Sequence, residues 1–192
     1  MLIIADYLRS RLRITSYNSQ NRNAMVGLLN TLTGMKKYYQ TDHYVPTPHW
    51  ERVLQQGSIP NEGLILLVVQ WRRQVIGYAR MFPEENEGQK RKTGNIGLGL
   101  LEDYQQQGIG RQLIEKLTEM APSLGYSALA ADVLESNIPS VKVFAHCGFL
   151  PVQQKKVFLP FLSRNVLEMR FEKNLDRTEE IYGGRKHAEY IT

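Results

Sequence analysis

The stretch LLEDYQQQGIGRQL, residues 100–113, decides how this chain is read. Gly108 and Gly110 stand one residue apart, behind three glutamines and ahead of an amphipathic run. A glycine gives up its side chain and costs conformational entropy, so two of them at one point imply that bare backbone is needed there. Upstream, NIGLGLL (95–101) has the composition of a strand. Downstream, RQLIEKLTEMAPSLG (111–125) reads as a helix. Ile109, Leu113, Leu117 and Met120 fall on one face, and Gly125 ends it.

Strand, glycine turn, helix is the layout of an anion site. The first N–H groups of a helix have no partner within it, and the helix dipole adds partial positive charge there. Glycine lets a phosphate approach the backbone without meeting a Cβ. The same spacing also serves a plain strand-to-helix turn that holds no ligand. Two known phosphate loops are excluded. No GxxxxGK[ST] occurs, and position 113 is Leu where a GxGxxG loop needs its third glycine. A dinucleotide fold also opens on its glycine loop, whereas this one lies past mid-chain.

The remaining elements follow from apolar spacing. RLRITSY (11–17) alternates like a short strand. NRNAMVGLLNTLTGMKKYY (21–39) carries Met25, Leu28, Leu29, Leu32 and Met35 at helical spacing. TDHYVPTPHW (41–50) is a loop broken by Pro46 and Pro48, and PHWERVLQQG (48–57) is a short helix stopped by Gly57. GLILLVVQW and QVIGYARMF are strands joined by a tight turn at Arg72-Arg73, and PEENEGQKRKTG (83–94) is a charged loop. After the helix at 111 come a strand (SALAADVL), a helix (IPSVKVFAHCG, with Gly148 at its end) and two strands (FLPVQQKKVFL and NVLEMRFEK). This order implies a mixed α/β, or α+β, single domain over residues 1–175. Residues 176–192 are expected to form a polar, loose tail.

Composition narrows the class. The chain has 192 residues, 42% hydrophobic and 22% charged, enough for one buried core. Its longest apolar run, residues 63–69, is too short to span a bilayer, and the start lacks a basic region ahead of its apolar patch. One cysteine, Cys147, allows no internal disulfide and suits a reducing cytoplasm. Net charge is +5 and the isoelectric point about 9.3. Lysine and arginine are scattered, so a basic solvated surface is expected rather than a nucleic-acid site. No zinc-ligand spacing is present, and no metal is expected.

Three stretches taken together resemble the GNAT superfamily of acyl-CoA-dependent N-acetyltransferases. They are NIGLGLLEDYQQQGIGRQLIEKL, ALAADVLESNIPSVKVFAHCGF and NVLEMRFEK. The family's Q/R-x-x-G-x-G/A loop is matched by Gln105, Gln106, Gln107, Gly108, Ile109 and Gly110, its Asn after the next strand by Asn137, and its G-F helix end by Gly148-Phe149. The resemblance covers roughly residues 63–173. It implies a mostly antiparallel central sheet flanked by helices, with strands 95–101 and 128–134 splayed to admit acetyl-CoA. The coenzyme pyrophosphate would lie on the amides of the 105–110 loop and the first helical turn, including Arg111. The pantetheine arm would pair with main chain near Leu100 and Leu101. Asn137 would bind the pantetheine or fix the splay, or it caps the helix that follows.

The resemblance also implies an acetyl transfer to a primary amine. In the branch that acetylates protein N-termini, a Glu serves as base and a Tyr as acid toward the thiolate. Here Asp132 occupies the Glu position and Phe144 the Tyr position. Asp132 is one methylene shorter, so it would act through a water, or else it is a structural strand residue. Phe144 cannot donate a proton and is expected to pack against the coenzyme or the core. Tyr44 and Trp50, with His43 and His49, are candidates for the acceptor pocket, or else they simply pin the loop. Cys147 is expected to be a small buried residue. The acceptor could be a protein N-terminus, a lysine, a polyamine-like metabolite or an aminoglycoside, and the protein a monomer or homodimer. The altered Asp132 and Phe144 leave a second reading open, a coenzyme-binding sensor or scaffold that has lost catalysis.

Overall fold

The structure, a computed structural model, describes residues 12–84 and 91–176. Seven strands form one sheet: β1 (Leu12–Ser16), β2 (Ile65–Trp71), β3 (Gln74–Pro83), β4 (Thr93–Leu100), β5 (Ala128–Leu134), β6 (Leu150–Leu159) and β7 (Arg164–Asn174). Their order is β1-β2-β3-β4-β5-β7-β6, and every neighbouring pair is antiparallel except β4 with β5. Four α-helices are described: α1 (Arg22–Gly34), α2 (Pro48–Gln56), α3 (Ile109–Met120) and α4 (Ile138–His146). The mixed, mostly antiparallel architecture expected from the sequence is what forms. Among the described residues, no helix is long and apolar enough to cross a membrane. The expected tail lies outside the described residues from position 177 onward.

The sheet buries two apolar layers. On one face Ala79, Met81, Ile96, Ala131, Val133 and Phe171 pack with Ile109, Leu113, Ile114 and Leu117 of α3 and with Phe144 of α4. On the other, Leu66, Val68, Tyr78 and Phe82 meet Met25, Leu28, Leu29 and Leu32 of α1 and Val53 and Leu54 of α2. Each fully buried Val, Leu, Ile, Met or Phe among them contributes about 1.5–3 kcal/mol, so the two layers hold the sheet between its helices.

Two helices depart from their expected bounds. The α1 stripe stops early: the helix ends at Gly34, Met35 is 39% exposed, and Lys36 takes a left-handed φ of 53°. Near the end, Thr33 Oγ1 donates to the Leu29 carbonyl at 2.9 Å, the local bond by which threonine competes with helix propagation. Apolar spacing past that point therefore did not carry the helix on. Conversely, α3 starts two residues before Arg111, because Ile109 is already buried on its apolar face. A short 3₁₀ turn, Pro122–Leu124, follows α3, and Gly125 closes it at φ 78°.

The parallel pair matters most for function. β4 and β5 are in register only at Thr93↔Ala128, Gly94↔Leu129 and Asn95↔Ala130. β4 continues to Leu100 and β5 to Leu134 without further pairing. The two strands form a fork, closed at Asn95 and Ala130 and open toward the turn that leads into α3.

Candidate active site

The open end of the fork leads to the glycine turn. Gly108 caps α3 at φ 79°, a conformation that L side chains rarely adopt. Gln106, a non-glycine residue, is also left-handed, at φ 57°. The turn is held by its own glutamines: Gln105 Nε2 donates to the Leu100 carbonyl at 2.9 Å and Gln107 Nε2 to the Asp103 carbonyl at 3.0 Å. The α3 ladder begins with Gln112 N–H donating to the Gly108 carbonyl. The amides of Ile109, Gly110 and Arg111 therefore precede it, as the first amides of any helix do. A Cβ on Gly110 would lie 3.3 Å from Leu98 Cδ1, so bare backbone also lets the helix sit close to β4. The Arg111 side chain is exposed and paired to Glu115, with Nε to Oε1 at 2.7 Å.

Inside the fork, the ladder with β3 fixes which main-chain groups are free to face it. Thr93 O accepts from Glu84 N–H at 3.0 Å, and Leu101 N–H donates to Ile76 O at 2.9 Å. Odd-numbered residues of β4 thus turn toward β3. By alternation, the main-chain groups of Ile96, Leu98 and Leu100 turn into the fork. The Leu101 amide, expected from the sequence to help pair the coenzyme, is spent on β3.

Asp132 stands two residues past the last paired register, at the apex of the fork, on the face that carries α1 and α2. Two groups hold it. Asn95 Nδ2 donates to Asp132 Oδ2 at 3.0 Å and to Glu84 Oε1 at 3.1 Å. Arg170, its cross-strand neighbour, places Nη1 at 3.5 Å from Asp132 Oδ1. The same guanidinium forks onto both Glu84 oxygens (2.9 and 2.7 Å) and reaches Glu172 through Nε at 2.8 Å. The Glu84 hydrogen bonds hold the Arg170 pKa above its usual value, so it is a permanent cation among three carboxylates. Farther along β7, Glu168 is almost fully buried; it accepts from Gln40 Nε2 and pairs with Lys155 at 3.0 Å. These acidic and basic side chains line a cavity of about 530 Å³. A second cavity of about 520 Å³ adjoins it across Glu84, between α2 and the β3–β4 ladder, lined by Thr47, His49, Trp50, Arg80, Phe82 and Asn95 among others.

The other expected site residues fall as follows. Asn137 caps α4, its Oδ1 accepting from Ser140 N–H at 3.2 Å. Phe144 is buried, its ring edge-on to Phe149 at 5.2 Å and stacked with Phe171 at 6.2 Å. Trp50 reaches the second cavity, while Tyr44 packs edge-on behind it at 6.0 Å. The Tyr44 hydroxyl is buried and, among the described residues, has no hydrogen-bond partner; burial pushes its pKa up to about 12. His43 is exposed and bonded to Asp42, away from the cavity that His49 lines. Cys147 is half-buried, and burial pushes its thiol up, which keeps it protonated.

Sequence reasoning missed Asn95, Glu84, Arg80 and Arg170. A signal existed for the last: Glu168, Arg170 and Glu172 alternate with apolar Met169 and Phe171 in one strand, which places three charges on one face.

A GNAT acetyltransferase family model matches residues 32–149. The chain therefore belongs to the GNAT family, and its class of chemistry is acetyl transfer. No curated protein matches it by sequence. Among solved structures, it is similar to yncA of Salmonella typhimurium, a putative acetyltransferase solved with acetyl-CoA. That likeness has 19% identity, 88% of this chain and 96% of that one covered, and a TM-score of 0.73. A ribosomal-protein-alanine N-acetyltransferase of Brucella melitensis gives 20% identity, 84% and 99% coverage and 0.71. A phosphinothricin acetyltransferase of Sinorhizobium meliloti, in complex with acetyl-CoA, gives 16%, 90%, 96% and 0.72. At these identities the likeness establishes the fold.

Proposed function

We propose that the protein transfers the acetyl group of acetyl-CoA to a primary amine by direct attack, with Asp132 as the base. One observation carries this reading: a carboxylate held at the apex of a strand fork whose open end meets a glycine-capped helix N-terminus. Acetyl-CoA bound to two similar folds supports the choice of donor.

On this reading the coenzyme pyrophosphate lies on the amides of the turn and of Ile109, Gly110 and Arg111. The pantetheine arm enters the fork and pairs with main chain at Leu98 and with the Leu100 N–H, the Leu100 carbonyl being held by Gln105, rather than at Leu101. A fork-facing N–H of β4 polarises the thioester carbonyl. The amine approaches from the α1/α2 face, where Trp50 lines its cavity and Tyr44 backs Trp50. Asp132 accepts one ammonium proton through a water, the free amine attacks the thioester carbon, and the carbon–sulfur bond breaks as the attacking nitrogen gives its second proton to water, leaving the neutral amide. The thiolate takes a proton from solvent, which suits a leaving group with a pKa of about 8.5 and a Phe144 without a hydroxyl. Asn95 and Arg170 keep Asp132 oriented.

The test is turnover of acetyl-CoA with a panel of amines, followed by free-thiol release and by mass spectrometry of the products. Acceptors that gain one acetyl group at the nitrogen are expected. Tight acetyl-CoA binding with no product from any amine would favour the sensor or scaffold reading instead.

A further inference from the structure

Arg80 projects from β3 onto the α1/α2 face and lines the cavity beside Trp50 and Phe82. It is half-buried, and its bonding is sparse for a guanidinium in that position. Nη1 donates to the Asn95 carbonyl at 3.1 Å, and the group lies over the Phe82 ring, 5.1 Å from its centroid. Among the described residues no carboxylate is paired with it. Arginine has five N–H donors in a planar fork that matches an oxyanion with two oxygens. On β4, the residue facing it is Gly97, where a Cβ would crowd its Cζ, Nε and Nη2 at 3.3 Å. Gly97 thus keeps space beside the guanidinium, whose charge has no direct counter-ion among the described residues.

Asn95 ties this cation to the catalytic carboxylate. Its backbone oxygen accepts from Arg80, and its side-chain amide donates to Asp132. A positive fork and a negative base therefore stand one residue apart, on the same face of the sheet. An α-amino acid has the complementary arrangement, with an ammonium and an oxyanion a few bonds apart. Glu84 does not neutralise Arg80 in this sense, because both of its oxygens are engaged by Arg170. A volume of about 520 Å³ suits a small molecule, and the aromatic walls suit an apolar side chain.

We propose that Arg80 binds an oxyanion of the acceptor, so that the acceptor is a small zwitterion: a primary amine with a carboxylate, or an equivalent phosphorus oxyanion, a few bonds away. This rests on the reading of Asp132 as the base for an amine at the fork. A protein N-terminus lacks the α-carboxylate and would leave Arg80 unmatched.

The experiment uses the full chain and each common L-amino acid, paired with its carboxamide and its decarboxylated amine. Two quantities are read: kcat/KM by thiol release, and affinity by calorimetry on CoA-loaded protein. The parent should prefer the best acid over its amide by about 10- to 100-fold, the scale of a hydrogen-bonded charge. Arg80→Gln keeps a donor for the Asn95 carbonyl and should erase the preference by lowering the acid alone. Arg80→Lys should keep part of it, since charge remains but the fork is lost. Equal use of acid and amide by the parent, an equal loss for both in Arg80→Gln, or no binding of any acid would overturn the proposal. Arg80-dependent binding of an acid that is never acetylated would uphold the anion site and refute the proposed chemistry. Phosphinate and phosphonate analogues of the best acid, tested in the same two assays, distinguish carbon from phosphorus oxyanions.

Discussion

The two faces of the sheet were written into the chain in different ways. On the α3 face the site is local. Gly108, Gly110 and the α3 N-terminus lie within a few residues of one another, and what they offer is backbone. On the α1/α2 face the site is assembled from afar. Glu84, Asn95, Asp132 and Arg170 come from the end of β3 and from β4, β5 and β7, and the Glu84–Arg170 bonds close 86 residues of chain. A backbone site is marked in sequence by the residues that expose backbone. A side-chain network is marked only by strand register, which no short motif contains. On the proposed function, the first face would bind the coenzyme and the second would differ with the acceptor.

The largest expected effect separates the faces directly. Gly110→Glu puts a carboxylate where the phosphate should lie and a Cβ against Leu98. Acetyl-CoA affinity should fall by about 10²-fold or more, the equivalent of losing one or two charged hydrogen bonds. Calorimetry measures it, with circular dichroism to check the fold. Unchanged affinity would remove the turn from the site.

Next comes Arg170→Gln. Glu84, Glu172 and Asp132 would lose their shared cation, and Arg170 and Glu84 are only 22% and 14% exposed. Stability should drop by about 2–3 kcal/mol, somewhat below the cost of breaking a fully buried pair. Urea unfolding reads it. The rate should fall as Asp132 loses its support, while acetyl-CoA affinity holds. A parallel loss of coenzyme affinity in folded protein would show that the two faces are not independent.

The smallest effect belongs to Phe144→Tyr. The ring is enclosed by Phe149 and Phe171, so the added hydroxyl meets apolar neighbours rather than a proton acceptor. The rate should stay within about twofold of the parent, at a stability cost of about 1–3 kcal/mol for an unpartnered hydroxyl. A large gain in rate would mean that the position still serves the thiolate.

Much of this was legible in the sequence. The glycine turn, the α3 stripe of Ile109, Leu113 and Leu117, and the succession of strands and helices around it follow from local spacing. Asn137 was read both as a cap and as a ligand group, and its cap bond to Ser140 is formed. Two kinds of feature were not legible. The end of α1 at Gly34 depends on a threonine bond and a left-handed Lys36, which compete with a periodic pattern that continues to Met35. Arg170 and Asn95 acquire meaning only when β7 and β4 flank β5: Asn95 stands in a largely apolar strand, and the charged face of β7 does not by itself say what Arg170 meets.

The most direct test of the central claim is the pH–rate profile of the parent and of Asp132→Asn with the best acceptor. Asparagine keeps the shape and can still meet Asn95 and Arg170 in part, but it cannot take a proton. Below the pKa of the amine the variant should be slower by about 10²-fold, the usual scale of general-base assistance. The gap should close as pH rises and free amine accumulates. Two profiles that superimpose across the whole range would contradict the account, and would place the base somewhere other than the apex of the fork.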